Sequence, residues 1–350
     1  MNLFDKKVLI CLGPGGVGKT TTSVSLALQA ANLGKKCLVM TIDPSRRLAT
    51  VLDIDKKSNK EKLIQKYKNK GELWGKIIEP EKAFKAFVLS FSEDKERAKK
   101  LFDNVLFKQL TSTLKDSQDF TSIETLVKAC ENTNYDLIIL DTPPIQNLTD
   151  FFDAPENMYN LFNSTFFKII GDGSDSQSLI KKFIGKGAQG VLSLLSKVTG
   201  KLFVEELIIF FKTIESLSIE IKSHSKKVDE ILGSSDTGYV LITEAEQSRL
   251  IEAKEISDQL KLKKFKLETT ILNRCYPLWF YKKNNKIKTE SDENLQIFNN
   301  ENKFYKEKRK IIDTFCQSNI LPGNIIKMPI LEGIDSLDDI KAMTEFIGEI

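Results

Sequence analysis

Residues 13 to 20 read GPGGVGKT and stand directly behind the apolar run KVLICL at 7 to 12. The spacing Gly13-x-x-x-x-Gly18-Lys19-Thr20 is that of a loop that cradles phosphate with its backbone N–H groups. The run before it has the uninterrupted apolar, partly β-branched character of a buried parallel strand. Residues 20 to 33 (TTTSVSLALQAANL) repeat apolar positions at helical spacing up to a stop at Gly34. Strand, glycine turn and helix thus follow in the order that brings loop N–H groups and the positive helix N-terminus to one point, which suits a triphosphate. The competing reading is an ordinary glycine-rich turn that binds nothing, and the flanking strand and helix argue against it.

Each loop residue has a chemical reason to be there. Gly13, Gly15, Gly16 and Gly18 let the backbone approach phosphate oxygens without a Cβ in the way. Lys19 is expected to lie along the β- and γ-phosphates as a point charge, and the Thr20 hydroxyl to ligate Mg²⁺. Val17 and Thr21 complete the expected nucleotide-binding set of this segment.

Composition narrows the remaining classes. Of 350 residues, 41% are hydrophobic and 29% charged, which is the make-up of a globular protein with a real core. Lys+Arg 52 against Asp+Glu 48 leaves a net charge of +4, and the lysines are dispersed, so charge gives no support for nucleic-acid or membrane-surface binding. The five cysteines (Cys11, Cys37, Cys130, Cys275, Cys316) form no CxxC pair and read as reduced residues of a cytoplasmic protein. His224 is the only histidine, which argues against a Cys/His zinc site and any triad that does not use it. No signal-peptide pattern opens the chain, and LFVEELIIFF (202 to 211) is too short and too charged to span a bilayer.

Further strands are expected at 37 to 43, 135 to 141, 238 to 245, 267 to 274 and 324 to 331, with helices near 119 to 132, 246 to 262, 300 to 317 and 335 to 349. Alternation of this kind implies an α/β fold with a doubly wound, mostly parallel sheet, helices on both faces and ligands at the carboxyl ends of the strands. Two lysine-rich inserts, about 53 to 118 and 151 to 236, read as helical and would form a subdomain within a single 1 to 350 domain. The second holds a glycine-rich loop, GDGSDSQS at 171 to 178, and an amphipathic stretch at 205 to 232 whose apolar stripe packs on neighbouring helices or forms a partner groove.

Hydrolysis needs an acid near the metal and a group to orient water. Asp141 ends YDLIILD and is placed to bind Mg²⁺ through a coordinated water; Asp43 ends CLVMTID and is the better candidate to orient the attacking water, with a place in the metal set as well. Both also fit turn or helix-cap acids, since Asp close to Pro is common in turns.

Taken together, GPGGVGKTTT, TIDPSRRLA and DTPPIQNLTDFFDAP resemble the ArsA-like branch (arsenite pump and tail-anchored-protein targeting) of the deviant Walker A, MinD-related P-loop ATPases. The likeness runs along nearly the whole chain and is nearest to the bacterial ArsA-related ATPases, which SQDFTSIETL at 117 to 126 also resembles. The resemblance implies ATP as substrate, Asp43 at the head of switch I and Asp141 at the start of switch II. It also implies that Asn273 of ILNR reads adenine beside Arg274, and that Pro329 opens a nucleotide-side loop, PILEGIDSLDDI.

The departures from the family pattern matter equally. Its fullest motif is GKGGVGKT, whose first lysine reaches across a dimer interface; here Pro14 stands in that place, and Arg46 or Arg47 is the candidate replacement cation. Asn147 stands where many relatives carry His, the paired zinc-binding cysteines of the targeting ATPase are missing, and Met158 is the one methionine in the inserts. The expectation is therefore a Mg²⁺-dependent ATPase that switches an unidentified protein partner or cargo, as a homodimer or a heterodimer with a related ATPase. The alternative is a weakly hydrolysing ATP-binding scaffold whose partner completes the site. A small-molecule kinase is a third class, which the DTPP and DPSRR segments disfavour.

Overall fold

The computed structural model describes residues 3–42, 49, 51–55, 59–91, 96, 99, 102–103, 116–132, 134–143, 148–162, 225–281, 292–317, 321, 324–331, 333 and 336–348. Asp43, Arg46, Arg47, Asn147, His224, the 171–178 loop and the 205–224 part of the amphipathic stretch lie outside them, as does the side chain of Met158. The chain divides into two compact units: Met1–Ile78 with Ala129–Leu148 and Leu232–Ile350, and Glu79–Lys128 with Thr149–Ile231.

Among the described residues the first unit is built on an eight-stranded sheet. Its strands are β1 (Val8–Leu12), β2 (Lys36–Thr41), β3 (Lys62–Lys66), β4 (Glu72–Ile77), β5 (Leu137–Asp141), β6 (Thr237–Glu244), β7 (Leu267–Pro277) and β8 (Asn324–Ile330). They lie in the order β3-β4-β2-β5-β1-β6-β7-β8, and each neighbouring pair is parallel except β3 with β4. Parallel strands covered on both faces must be apolar throughout, and β1 and β5 are buried at every position. That constraint is why VLICL and LIIL were legible as strands.

Among the described residues the α-helices are α1 (Lys19–Asn32), α2 (Pro80–Phe91), α3 (Asp116–Glu131), α4 (Leu148–Phe162), α5 (Gln247–Leu262), the short α6 (Leu278–Tyr281), α7 (Asp292–Gln317) and α8 (Leu337–Ile347). α1 stops where the sequence says it should. Gly34 takes φ 95, its N–H donates to the Ala31 carbonyl at 2.9 Å, and the Lys35 N–H to that of Ala30 at 3.1 Å. Carbonyls orphaned by the helix end are thereby satisfied. α8 starts on a capping box between Ser336 and Asp339. Buried residues of α1 (Val24, Leu28, Ala31) and α8 (Ile340, Met343, Ile347) share one apolar core with Leu9, Val39, Ile139 and Ile242 of the sheet. In the second unit Phe120 meets Phe87 edge-on, with ring centroids 5.0 Å apart, and Phe84 at 6.1 Å.

One helical expectation is corrected. Residues 62–66 and 72–77, read as part of a helical insert, form an antiparallel hairpin on the sheet edge. Its lysines disguised a period of two: along β4 the odd residues Leu73, Gly75 and Ile77 are buried while the even ones are not. The turn is made by Lys70 at φ 69, with the Tyr67 N–H donating to the Gly71 carbonyl at 2.9 Å.

A Cβ on Gly71 would run into the backbone of Ala31 and Gly34 at the end of α1, which has no rotamer with which to yield. Gly71→Ala is therefore expected to lower stability by about 1–3 kcal/mol, as overpacking does. Urea denaturation checks this, and an unchanged midpoint would mean that the hairpin docks loosely.

Candidate nucleotide site

The carboxyl ends of β1, β2, β5, β6 and β7 carry the polar residues of interest. β1 ends at Leu12 and α1 begins at Lys19, so the glycine loop fills the gap between strand tip and helix N-terminus. Two of its glycines are required by their surroundings. A Cβ on Gly13 would collide with the Ile242 carbonyl oxygen of β6. Gly18, the N-cap of α1, sits at φ 83 and ψ 27, and a Cβ there would strike the side-chain amide of Asn273.

The Lys19 side chain is buried and folds back over the loop. Its Nζ donates to the carbonyl oxygens of Gly13 at 3.0 Å and Pro14 at 2.9 Å. Pro14 thus supplies the group the loop uses, a carbonyl, and the N–H that proline lacks is not called upon. An ammonium held beside neutral carbonyls, on a residue that opens a helix, makes the loop receptive to an anion.

Asp141 closes β5 with its side chain buried, opposite Cys11 of β1 and Thr41 of β2 in register. Thr41 Oγ1 donates to its Oδ2 at 2.7 Å and Ser23 Oγ to its Oδ1 at 3.5 Å, while the Thr20 hydroxyl also hydrogen-bonds it. Burial pushes the Asp141 carboxyl up to about 6, against the opposing pull of these hydroxyls and the Lys19 charge. Beyond it, Thr142 Oγ1 donates to the Cys11 carbonyl at 2.8 Å and ties the outgoing chain to β1.

On the other side of the loop stand two consecutive residues of β7. Asn273 is buried, its Nδ2 donates to the Val17 carbonyl at 2.9 Å, and its Oδ1 accepts from the Arg274 N–H at 3.0 Å. The exposed Arg274 guanidinium pairs with Glu244 at 2.7 Å and reaches the Gly16 carbonyl at 3.5 Å.

Of the residues singled out from sequence, Gly13, Gly16, Val17, Gly18, Lys19, Thr20, Asp141, Asn273 and Arg274 meet here, with Gly15 inside the same loop and Thr21 on the first turn of α1. Pro329 lies in β8, paired with Tyr276 of β7. Asp43 falls outside the described residues, beyond the end of β2. Sequence reasoning missed Thr41, Ser23 and Glu244. Ser23 had a signal, since it lies three residues after Thr20 on the same helix face; Thr41 and Glu244 had none, because only the strand order puts them beside Asp141 and Arg274. Among the described residues no three His, Cys, Asp or Glu side chains gather as a metal cluster. One carboxylate ringed by hydroxyls does suit a hard cation that keeps most of its waters, as Mg²⁺ does.

The Asp141 carboxyl titrates near 6 in the folded chain and near 3.8 in an open one, so the folded state holds this proton more tightly. The stability so gained is complete below about pH 4 and is lost as pH rises through about 6. In buffer free of nucleotide and magnesium, Asp141→Asn is expected to raise the thermal midpoint at pH 7.5 and to lose that advantage at pH 4. Equal midpoint shifts at both pH values would contradict it.

A family model described as anion-transporting ATPase matches residues 6–347. Named proteins are similar over comparable lengths. An arsenical pump-driving ATPase 1 of Aquifex aeolicus is 25% identical over 330 residues, 93% of this chain and 74% of its own. The ATPase GET3 of Phaeosphaeria nodorum is 22% identical over 94% of this chain and 91% of its own. An ATPase ASNA1 homolog of Cryptosporidium parvum is 25% identical over 78% of this chain and 67% of its own.

Proposed function

This chain belongs to the anion-transporting ATPase family and is an ATPase; from that premise we propose that ATP with Mg²⁺ binds at the glycine loop and that its hydrolysis switches the conformation of a dimer acting on a protein partner or cargo. The observation that carries the proposal is the Asp141 knot. A buried carboxylate ties the helix after the loop (Thr20, Ser23) to the end of β2 (Thr41). The chain segments that follow β2 and β5 leave from that same knot, so a change at the phosphates is felt where both begin.

The loop N–H groups and the N-terminus of α1 receive the β- and γ-phosphates, and the Lys19 ammonium turns from the Gly13 and Pro14 carbonyls to the phosphate oxygens. The Thr20 hydroxyl, released from Asp141, and the Asp141 carboxylate, through a water, would hold Mg²⁺, with Asp43 as a further member of the set. Held by these residues, Mg²⁺ would supply neutralisation of the charge that develops on the phosphate oxygens. Asp43 orients a water whose oxygen bonds to the γ-phosphorus as the bridging bond to the β-phosphate breaks, giving ADP and inorganic phosphate. The arsenical named in one relative is not part of this proposal, because among the described residues no thiol-rich cluster is present to receive it.

The test is Mg²⁺-dependent ATP hydrolysis by the full chain, with light scattering in ATP and in ADP. Lys19→Ala and Asp43→Asn are each expected to lower the rate by about 100-fold or more, and the dimer to depend on ATP. Tight ATP binding without turnover in the unaltered chain would overturn a self-sufficient switch. The active site would then need a second protein to complete it.

A further inference from the structure

β7 departs from regular strand geometry where it passes the glycine loop. Its pairing with β8 shifts register between Leu272 and Tyr276, and Arg274 takes a left-handed φ of 52. In an unbroken strand adjacent side chains point to opposite faces of the sheet. Here Asn273 and Arg274 are adjacent, and both reach the same loop. A left-handed arginine is a conformational cost that the surroundings must offset, and a bulge of this kind is a known way to re-aim a side chain.

The aim is at two consecutive carbonyls. Asn273 Nδ2 donates to Val17 O at 2.9 Å, and an Arg274 guanidinium nitrogen approaches Gly16 O at 3.5 Å. A loop that turns its N–H groups inward to an anion turns neighbouring carbonyls outward, and those carbonyls need donors if the shape is to persist. Both donors are themselves held. Glu244 Oε1 pairs with the guanidinium at 2.7 Å, and the Arg274 N–H donates to Asn273 Oδ1 at 3.0 Å, which orients the amide with its NH₂ toward the loop. The missing side chain of Gly18 is what admits that amide.

We propose that Asn273 and Arg274 are positioning residues that clamp the outward carbonyls of the glycine loop and so hold it in its phosphate-receiving shape. What they contribute through the loop is then felt by the triphosphate, whatever base it carries. The bonds to Val17 and from Arg274 use one N–H and one lone pair of the Asn273 amide and leave one of each for a base, so the clamp is a role beside the expected reading of adenine. The inference rests on the glycine loop being the ATP site.

The experiment measures the affinity of the full chain for ATP, GTP and base-free tripolyphosphate, each with Mg²⁺, and compares Asn273→Ala, Asn273→Asp and Arg274→Gly. Glycine accepts the left-handed backbone and removes the whole arginine side chain, guanidinium included. Asn273→Ala is expected to weaken all three ligands, base-free tripolyphosphate included, by about tenfold, the equivalent of one good hydrogen bond. Asn273→Asp, which sets an acceptor against the Val17 carbonyl, should weaken them further, and Arg274→Gly should weaken all three by a smaller common factor. If Asn273→Ala instead abolishes preference for ATP over GTP and leaves tripolyphosphate unchanged, Asn273 reads the base and the clamp is refuted. If Asn273→Ala does not fold, Arg274→Gly alone decides, since unchanged affinity for every ligand would refute the clamp. Failure of the unaltered chain to bind ATP would strike the site reading itself, separately from the clamp.

Discussion

A carboxylate buried at the tip of a central strand has to be held by donors, and the Asp141 site is organised around that need. Three hydroxyls from two elements, Thr20 and Ser23 of α1 and Thr41 of β2, converge on it. They can converge because β5 lies between β1 and β2, so the ends of three strands and the first turns of α1 come within hydrogen-bond reach. Burial still wins over these donors, and the carboxyl stays harder to ionise than an exposed one. A site that favours neither full charge nor full neutrality gains most from a cation arriving beside it. Stability is given up locally to make the cradle receptive.

The glycine loop shows the same exchange on the backbone. Gly13 and Gly18 occupy space that any side chain would contest, and Lys19 bridges the loop from inside through the Gly13 and Pro14 carbonyls. Asn273 and Arg274 engage it from outside, at the cost of a left-handed arginine and an interrupted ladder in β7. Of the two places only the left-handed Arg274 is strained, since glycine takes a positive φ freely. Pro14 fits this arrangement because the loop draws on its carbonyl.

How much of this could be read in advance follows from what each feature depends on. The strands and α1 were legible because parallel strands buried on both faces have to be continuously apolar, and because a Gly after an apolar-periodic helix marks its end. The β3–β4 hairpin was not, since its edge position leaves alternate residues in water and lysine-rich, so the period of two was hidden by composition. Gly18, Lys19 and Thr20 were legible because phosphate chemistry dictates their spacing. Thr41 and Glu244 were invisible, being unremarkable strand-end residues until strand order gives them neighbours.

By itself the sequence determined which segments are strand, loop and helix around the phosphate cradle, that the fold is α/β with a P-loop, and which lysine and aspartate carry charge near it, because these depend on local spacing and on chemistry the backbone must satisfy; ATP as the nucleotide was what the family resemblance implied. Only the tertiary structure decided that Asn273 grips the Val17 carbonyl, that Arg274 shares itself between Glu244 and Gly16, and that Thr41 holds Asp141. Those partners are separated by 256, 30, 258 and 100 residues respectively. Contacts across such distances are set by strand order and by one bulge in β7, which no local pattern of residues encodes.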